Sequence, residues 1–269
     1  MELYIMYDTL WLGCSHSSGS YCKDTGELID QSHSIPSVLA TKLNQRWKSI
    51  SFPGDGVMKY AEAVKLLDEN KLLSNFRNII IQRTYEPRMT FFNDSDYIYD
   101  RILEYVNDPN RFETIIPVRP PTERTFSLFA HQNYEQYHSN FAGKEIELID
   151  MFETISLSVD PRESTTETTQ YPSLWVDVHY DYIRYAAEKN NCKLYMFDYV
   201  GSFRNQNRRW KINKPFKRTL INGDQDFVFH HLTEQNRLDL LATAQHPTHG
   251  AVDLLVDILY KELNDAEYK

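Results

Sequence analysis

Cysteine is scarce in this chain: there are 3, namely Cys14, Cys22 and Cys192. An odd and sparse set gives no disulfide framework, and no C-x-x-C pair suggests a metal knuckle. The usage fits a reducing compartment. Long apolar runs are missing as well. None approaches the roughly 18 residues of a membrane-spanning helix, so no membrane association is expected. Residues 1–12 carry Glu2 and Asp8 and lack a basic stretch, which reads against a signal peptide. The expected location is the cytoplasm, with a virion as the other setting. There is no internal repeat and no low-complexity tract. Positive charge is in deficit, with 29 Lys and Arg against 38 Asp and Glu and a formal net charge of −9. Such a surface repels phosphate backbones, so nucleic acid is not an expected partner.

What is present suits a globular enzyme-sized domain. The chain has 269 residues, 41% of them hydrophobic and 13% aromatic. A chain of this length buries roughly 70–75% of its unfolded surface, enough for one well-filled core. Residues 1–269 are therefore read as a single α/β domain, with 90–172 as an inserted, mainly helical segment or lid.

The first third alternates between two patterns. Residues 8–12 form a short apolar run that ends at Gly13, as a buried strand followed by a turn does. Residues 35–44 read as a helix, 49–52 as a second strand stopped by Pro53-Gly54, and 58–70 as a helix with Ala61, Val64 and Leu67 on one face. Asn78-Ile79-Ile80-Ile81-Gln82 reads as a strand covered on both faces. The order β-α-β-α-β predicts a parallel sheet with right-handed crossovers. Further on, 96–107 reads as a helix, 160–172 as a loop, and 173–190 as a helix with Ser173 as its N-cap. Residues 193–197 read as a fourth strand. At the end, Ala251, Leu254, Leu255, Ile258 and Leu259 follow helical spacing, with Thr248 as a cap.

Ligands of open parallel sheets sit outside the carboxyl ends of the strands. Three features fall there. Gly13-Cys14-Ser15-His16-Ser17 follows the first strand directly, and a serine on such a turn gains an exposed hydroxyl near backbone N–H donors. His246-Pro247-Thr248-His249 precedes the terminal helix, where proline stiffens the loop and the helix anchors it. Pro53-Gly54-Asp55-Gly56 and Gln82-Arg83-Thr84 close the second and third strands, where N–H groups and polar side chains can hold an oxyanion. Each has a plainer role as turn or surface loop.

Taken together, the three resemble the SGNH (GDSL-type) hydrolase family, over roughly residues 8–90 and 190–262. Gly13-Cys14-Ser15 looks like the family's Gly-Asp-Ser block, with Cys14 in the place of aspartate. Gly54 looks like the second-block glycine that donates an oxyanion N–H. The third block is usually Gly-x-Asn-Asp, whereas this strand ends in Gln82-Arg83-Thr84. His246-Pro247 looks like the block Asp-x-x-His-Pro, but Thr243 stands where the acid would be. The resemblance implies a flavodoxin-like α/β/α sandwich and a serine esterase, with deacetylation of carbohydrate esters as the candidate reaction. It makes Ser15 the nucleophile and His246 the base. The oxyanion donors become Ser15, Gly54 and Thr84 or Gln82, and the orienting acid, if one is used, Asp239 or Asp226. The wording of the motifs is similar to variants carried by bacteriophages and aquatic bacteria.

Other signals attach to the same region. His16 and His249 flank the two catalytic candidates, and Arg83 and Arg88 follow the third strand, so all four are candidates for substrate contact. No spaced set of ligands implies a metal, and no cofactor is expected. The basic run 203–218 around Trp210 and Phe216 reads as a solvated loop or a contact to an acidic partner rather than a nucleic-acid site. The competing reading is a catalytically inactive SGNH-like protein with a binding or structural role, in a virion or surface assembly with protein partners. The missing third-block asparagine and the missing acid before His246 support it.

Overall fold

The computed structural model describes residues 7–53, 57–83, 88–91, 96–117, 124–127, 170–198, 218–219, 232, 235–242 and 246–265. Strand β1 (Tyr7–Gly13) leads into a short 3₁₀ turn, Ser15–Ser17. Next come a small antiparallel pair, β2 (Ser20–Tyr21) and β3 (Leu28–Asp30), helix α1 (Ile35–Leu43), strand β4 (Trp47–Ser51) and helix α2 (Val57–Glu69). Strand β5 (Phe76–Arg83) follows, then β6 (Arg88–Phe91), α3 (Asp96–Asn107) and β7 (Arg124–Ser127), with β6 and β7 antiparallel. Helix α4 (Gln170–Lys189), β8 (Lys193–Asp198), β9 (Arg218–Thr219) and α5 (His249–Asp265) complete the order.

The central sheet runs β4-β1-β5-β8-β9, and every pairing in it is parallel. This is the expected α/β architecture. The register places Leu10 beside Ile79, Trp11 beside Ile80 and Leu12 beside Ile81. Because side chains alternate along a strand, these rows split between two cores. Leu10, Leu12, Ile79, Ile81, Leu194 and Met196 pack against α2, α3 and α4. Trp11, Trp47, Ile80 and Tyr195 pack against α1 and α5. Helices thus cover both faces of the sheet, which is why the Ile79-Ile80-Ile81 run carries no polar residue. Each such side chain contributes about 1.5–3 kcal/mol on burial.

Local chemistry explains most of the boundaries. In α1 the Ser34 hydroxyl accepts the Ser37 N–H at 3.2 Å, Pro36 occupies the first turn, and Asn44 ends the helix in the left-handed conformation at φ 53°. Asn191 does the same after α4, at φ 58°. Helix α4 begins at Gln170 rather than at Ser173, so Ser173 is not its N-cap and residues 170–172 belong to the helix, not to the preceding loop. Pro172 is tolerated there because a first-turn N–H has no intrahelical acceptor to lose. Strand β4 starts at Trp47 and ends at Ser51, because its ladder with β1 opens at Thr9 and Trp47. Thr248 precedes α5 as expected, but its hydroxyl donates to the Leu240 carbonyl at 2.6 Å, so the bond it makes ties two loops together. Part of the 90–172 stretch enters the main core. Ile102, Tyr105, Val106 and Ile115 are buried there, and Ile115 exchanges backbone hydrogen bonds with Ser49 and Ser51 along β4. That contact covers an otherwise open sheet edge. Residues 128–169 and the basic run up to residue 217 lie outside the described residues.

A lysine is buried in this core. Lys48, on β4, donates to the carbonyls of Tyr105, Asp108 and Arg111 at the end of α3, and its ammonium lies 4.5 Å from the Tyr105 ring centre and 4.9 Å from that of Tyr7. It satisfies carbonyls that the helix end leaves open and favours the negative end of the helix dipole.

Cys192 immediately precedes β8 and is buried in the same core. Its thiol lies 3.3 Å from the Phe76 carbonyl and 3.4 Å from that of Leu73, and burial pushes it up to about 12 from its ordinary value of 9. In the unfolded chain the thiol ionises near its ordinary value, while in the folded chain it stays neutral for longer. Its contribution to stability is therefore complete below about pH 9 and is lost as pH rises toward about 12. Denaturant midpoints are expected to converge for the parent and Cys192→Val as pH rises from 8 to 11, where the ladder pairs keep the rest of the sheet alike. A gap that stays constant across that range would refute the linkage.

Candidate functional site

The chain leaves β1, an inner strand between β4 and β5, where the sheet order reverses direction, and the space beyond this point is where such sheets bind ligands. Gly13 ends the strand. A methyl group on it would penetrate the Ser17 hydroxyl and the Gln82 side-chain oxygen, so the backbones and side chains close in over a position that only glycine fits. Gly13→Ala is expected to cost about 2–4 kcal/mol, through displacement of a buried turn rather than of an exposed loop. Equilibrium unfolding measures it, and a loss under about 0.5 kcal/mol, the size of an ordinary surface substitution, would show that the turn yields freely.

After Gly13 the chain turns at once. Cys14 is extended, its carbonyl accepts the Ser17 N–H at 2.9 Å, and the Ser15 carbonyl accepts the Ser18 N–H at 3.1 Å. Neighbouring strands hold the turn. The Phe52 N–H donates to the Gly13 carbonyl at 2.8 Å, the Ser51 hydroxyl donates to the Cys14 carbonyl, and the Ser18 and Ser51 hydroxyls meet at 2.7 Å. The Trp11 indole N–H donates to the Ser17 hydroxyl at 3.1 Å. Ser15 is thereby presented on a rigid turn, half-buried.

The second half of the site arrives 231 residues later in sequence. His246 Nε2 lies 2.9 Å from Ser15 Oγ. Its loop is pinned by the Ala242 N–H donating to the His246 carbonyl at 2.8 Å and by the Tyr21 N–H donating to the Pro247 carbonyl at 2.9 Å. Pro247 is buried, and α5 anchors the loop through Ala251, Val252, Leu255, Val256 and Leu259. The Tyr21 ring stacks on His246 at 4.2 Å between centroids and 10° between planes, while the Tyr21 hydroxyl donates to the Ser15 carbonyl at 2.7 Å. Tyr21 therefore touches both members of the pair. Burial pushes its hydroxyl up to about 12, with the Ser18 hydrogen bond opposing, so it stays a neutral donor through the ordinary pH range.

The other sequence-derived candidates are placed as follows. His16 is buried, with Nδ1 3.1 Å from Cys14 Sγ and its ring 4.8 Å from that of His246. His249 is exposed, lies 3.6 Å from Asp30 and stacks on His33 at 4.0 Å. Hydrogen bonds, the Ser32 hydroxyl's foremost, hold the Asp30 carboxyl below its usual value. Gln82 is buried at the end of β5, where its side chain meets Gly13 and its amide nitrogen lies 3.9 Å from Cys14 Sγ. Asp239 is exposed and pairs with Arg237 at 3.2 Å. Gly54, Thr84 and Asp226 lie outside the described residues, as do the side chains of Arg83 and Arg88. Among the described residues, no group of three or more His, Cys, Asp and Glu is placed to hold a metal ion, and no helix is long and apolar enough to cross a membrane.

Reading along the sequence picks out Ser15 and His246 but not Tyr21 or Ser51. Tyr21 lies in a two-residue strand with no periodicity, and Ser51 reads as an ordinary strand residue. Both act through contacts that only the folded sheet creates. Compared with family models, with curated proteins and with solved structures, the chain matches none of them.

Proposed function

We propose that this chain is a serine ester hydrolase of SGNH type, with Ser15 as nucleophile and His246 as general base. The observation that carries the reading is the 2.9 Å approach of Ser15 Oγ to His246 Nε2 at the carboxyl end of β1. A nucleophile bonded to a base held by further groups is the arrangement that covalent catalysis needs. The strand order β4-β1-β5-β8-β9, with helices on both faces, fits the flavodoxin-like sandwich of that family.

In this reading His246 Nε2 takes the Ser15 hydroxyl proton as the oxygen attacks an ester carbonyl. In the same reading the Ser15 backbone N–H donates to the developing oxyanion. The protonated His246 then gives its proton to the leaving alcohol. Water, activated by the same imidazole, releases the acid and restores Ser15. The substrate class is an ester, with acylated carbohydrate as the first to screen.

The test is covalent labelling by a fluorophosphonate probe, read by intact mass. The parent should gain one probe adduct and the folded Ser15→Ala variant none. A folded parent that takes no probe would turn the reading toward a binding or structural protein.

A further inference from the structure

Two successive carbonyls in the turn that carries Ser15 each accept two hydrogen bonds. The Cys14 carbonyl accepts the Ser17 N–H at 2.9 Å and the Ser51 hydroxyl. The Ser15 carbonyl accepts the Ser18 N–H at 3.1 Å and the Tyr21 hydroxyl at 2.7 Å. The first pair bears on the chemistry, because the Cys14 carbonyl and the Ser15 N–H belong to one peptide plane. We propose that Ser51 is a positioning residue for the oxyanion: its hydroxyl, on the Cys14 carbonyl, aims and polarises the peptide whose N–H is the Ser15 donor. The proposal rests on the serine hydrolase reading for its catalytic consequence, though not for its geometry.

In a trans peptide the C=O and the N–H point to opposite sides of the chain. A carbonyl held on Ser17 and Ser51 therefore directs the Ser15 N–H away from both. Among the described residues nothing accepts that N–H, so it stays open to a ligand. Ser51 is itself firmly held. The ladder pairs it with Gly13, its N–H donates to the Ile115 carbonyl at 2.9 Å, and the next N–H, of Phe52, donates to the Gly13 carbonyl at 2.8 Å. A hydroxyl carries one proton, so Ser51, which gives its own to the Cys14 carbonyl, is an acceptor toward Ser18 Oγ, 2.7 Å away. Ser18 and Ser51 are fully buried and Cys14 is 1% exposed. Away from water such bonds polarise one another along the chain. Electron density drawn to the Cys14 oxygen leaves the Ser15 amide proton more positive. A donor already aimed and polarised needs no reorientation as the oxyanion forms.

The experiment compares Ser51→Ala and Ser51→Cys with the parent. It reads hydrolysis of p-nitrophenyl acetate and of its thiono counterpart, whose sulfur accepts hydrogen bonds weakly, and the Ser15 amide resonance by nitrogen-15 NMR. Ser51→Ala is expected to lower kcat for the oxygen ester by about tenfold with KM near the parent's. That is less than the roughly 10²–10³ lost when an oxyanion donor is removed outright. The thiono ester, which gains little from the donor, should lose less, and the Ser15 amide nitrogen should move upfield. Ser51→Cys keeps a weaker donor and should fall between Ser51→Ala and the parent in each readout. It carries the same comparison if Ser51→Ala does not fold. Equal losses on both esters would mean that Ser51 only props the turn, and would overturn the proposal, as would an unmoved Ser15 amide in the folded variant. If the parent hydrolyses neither ester and takes no fluorophosphonate, the hydrolase reading fails. The Ser15 amide then still decides the positioning role, supporting it if the resonance moves and overturning it if it does not.

Discussion

Ser15→Ala and His246→Ala are each expected to lower kcat/KM for ester hydrolysis by about 10³-fold or more, and the double variant by no more than the worse single one. The non-additivity follows from the geometry. In the proposed mechanism Ser15 Oγ and His246 Nε2, 2.9 Å apart, act on one proton, so removing either leaves the other without a task. Stability should separate the two variants. Ser15 is half-buried on a turn held by backbone and neighbouring hydroxyls, so loss of its Oγ should leave the melting temperature nearly unchanged. His246 packs on Tyr21 and His16, so its truncation removes ring contacts worth about 0.5–1.5 kcal/mol each. Kinetics on a series of acetyl esters, with thermal melts alongside, provide the measurement. Multiplying losses in the double variant would mean that the two side chains do not serve one step.

Lys48→Met is expected to destabilise the fold by about 2–4 kcal/mol, the range for breaking a buried charged hydrogen-bond set. Two effects compete. The substitution strands the carbonyls of Tyr105, Asp108 and Arg111 and removes the ammonium from the rings of Tyr7 and Tyr105. It also ends the cost of keeping a charge out of water, and burial pulls the Lys48 ammonium down to about 8 from its ordinary 10.5. The first effect is expected to win at neutral pH, because three acceptors lose their donor at once. The pH dependence carries a definite sign. Between about 8 and 10.5 the unfolded chain holds more protons on this residue than the folded chain, so its contribution to stability rises with pH. Urea titrations should therefore show the gap between parent and Lys48→Met widening from pH 7 to pH 10. A narrowing gap would show that the three carbonyls bind the ammonium more strongly than burial opposes it.

The parallel sheet was legible because its cause is local. A run such as Ile79-Ile80-Ile81 has no polar face, so it must be covered on both sides, and the helical stripes between the strands provide the cover. Turn chemistry marked the strand ends and so located Ser15. The start of α4 was misplaced because a Ser after a Pro looks like a cap, whereas proline three residues into a helix carries no penalty. Lys48 was not legible at all. Its sequence neighbours read as an ordinary strand, and its partners lie 57 to 63 residues away at the end of α3.

The candidate site divides in the same way. The sequence alone determined that a serine follows the first strand on a glycine-bounded turn, and that a His-Pro pair precedes an amphipathic terminal helix, since both are statements about neighbours along the chain. Only the tertiary structure decided that these two ends meet, because the parallel order β4-β1-β5-β8-β9 puts β1 inside the sheet between β4 and β5, and α5 packs across the face beside it. It alone supplied Tyr21, which joins the two halves, and the Cys14–His16 pair beneath them. The physical reason is range. Backbone preference and hydrophobic period act over a few residues, whereas a 2.9 Å contact between residues 15 and 246 exists only after the sheet has closed the distance.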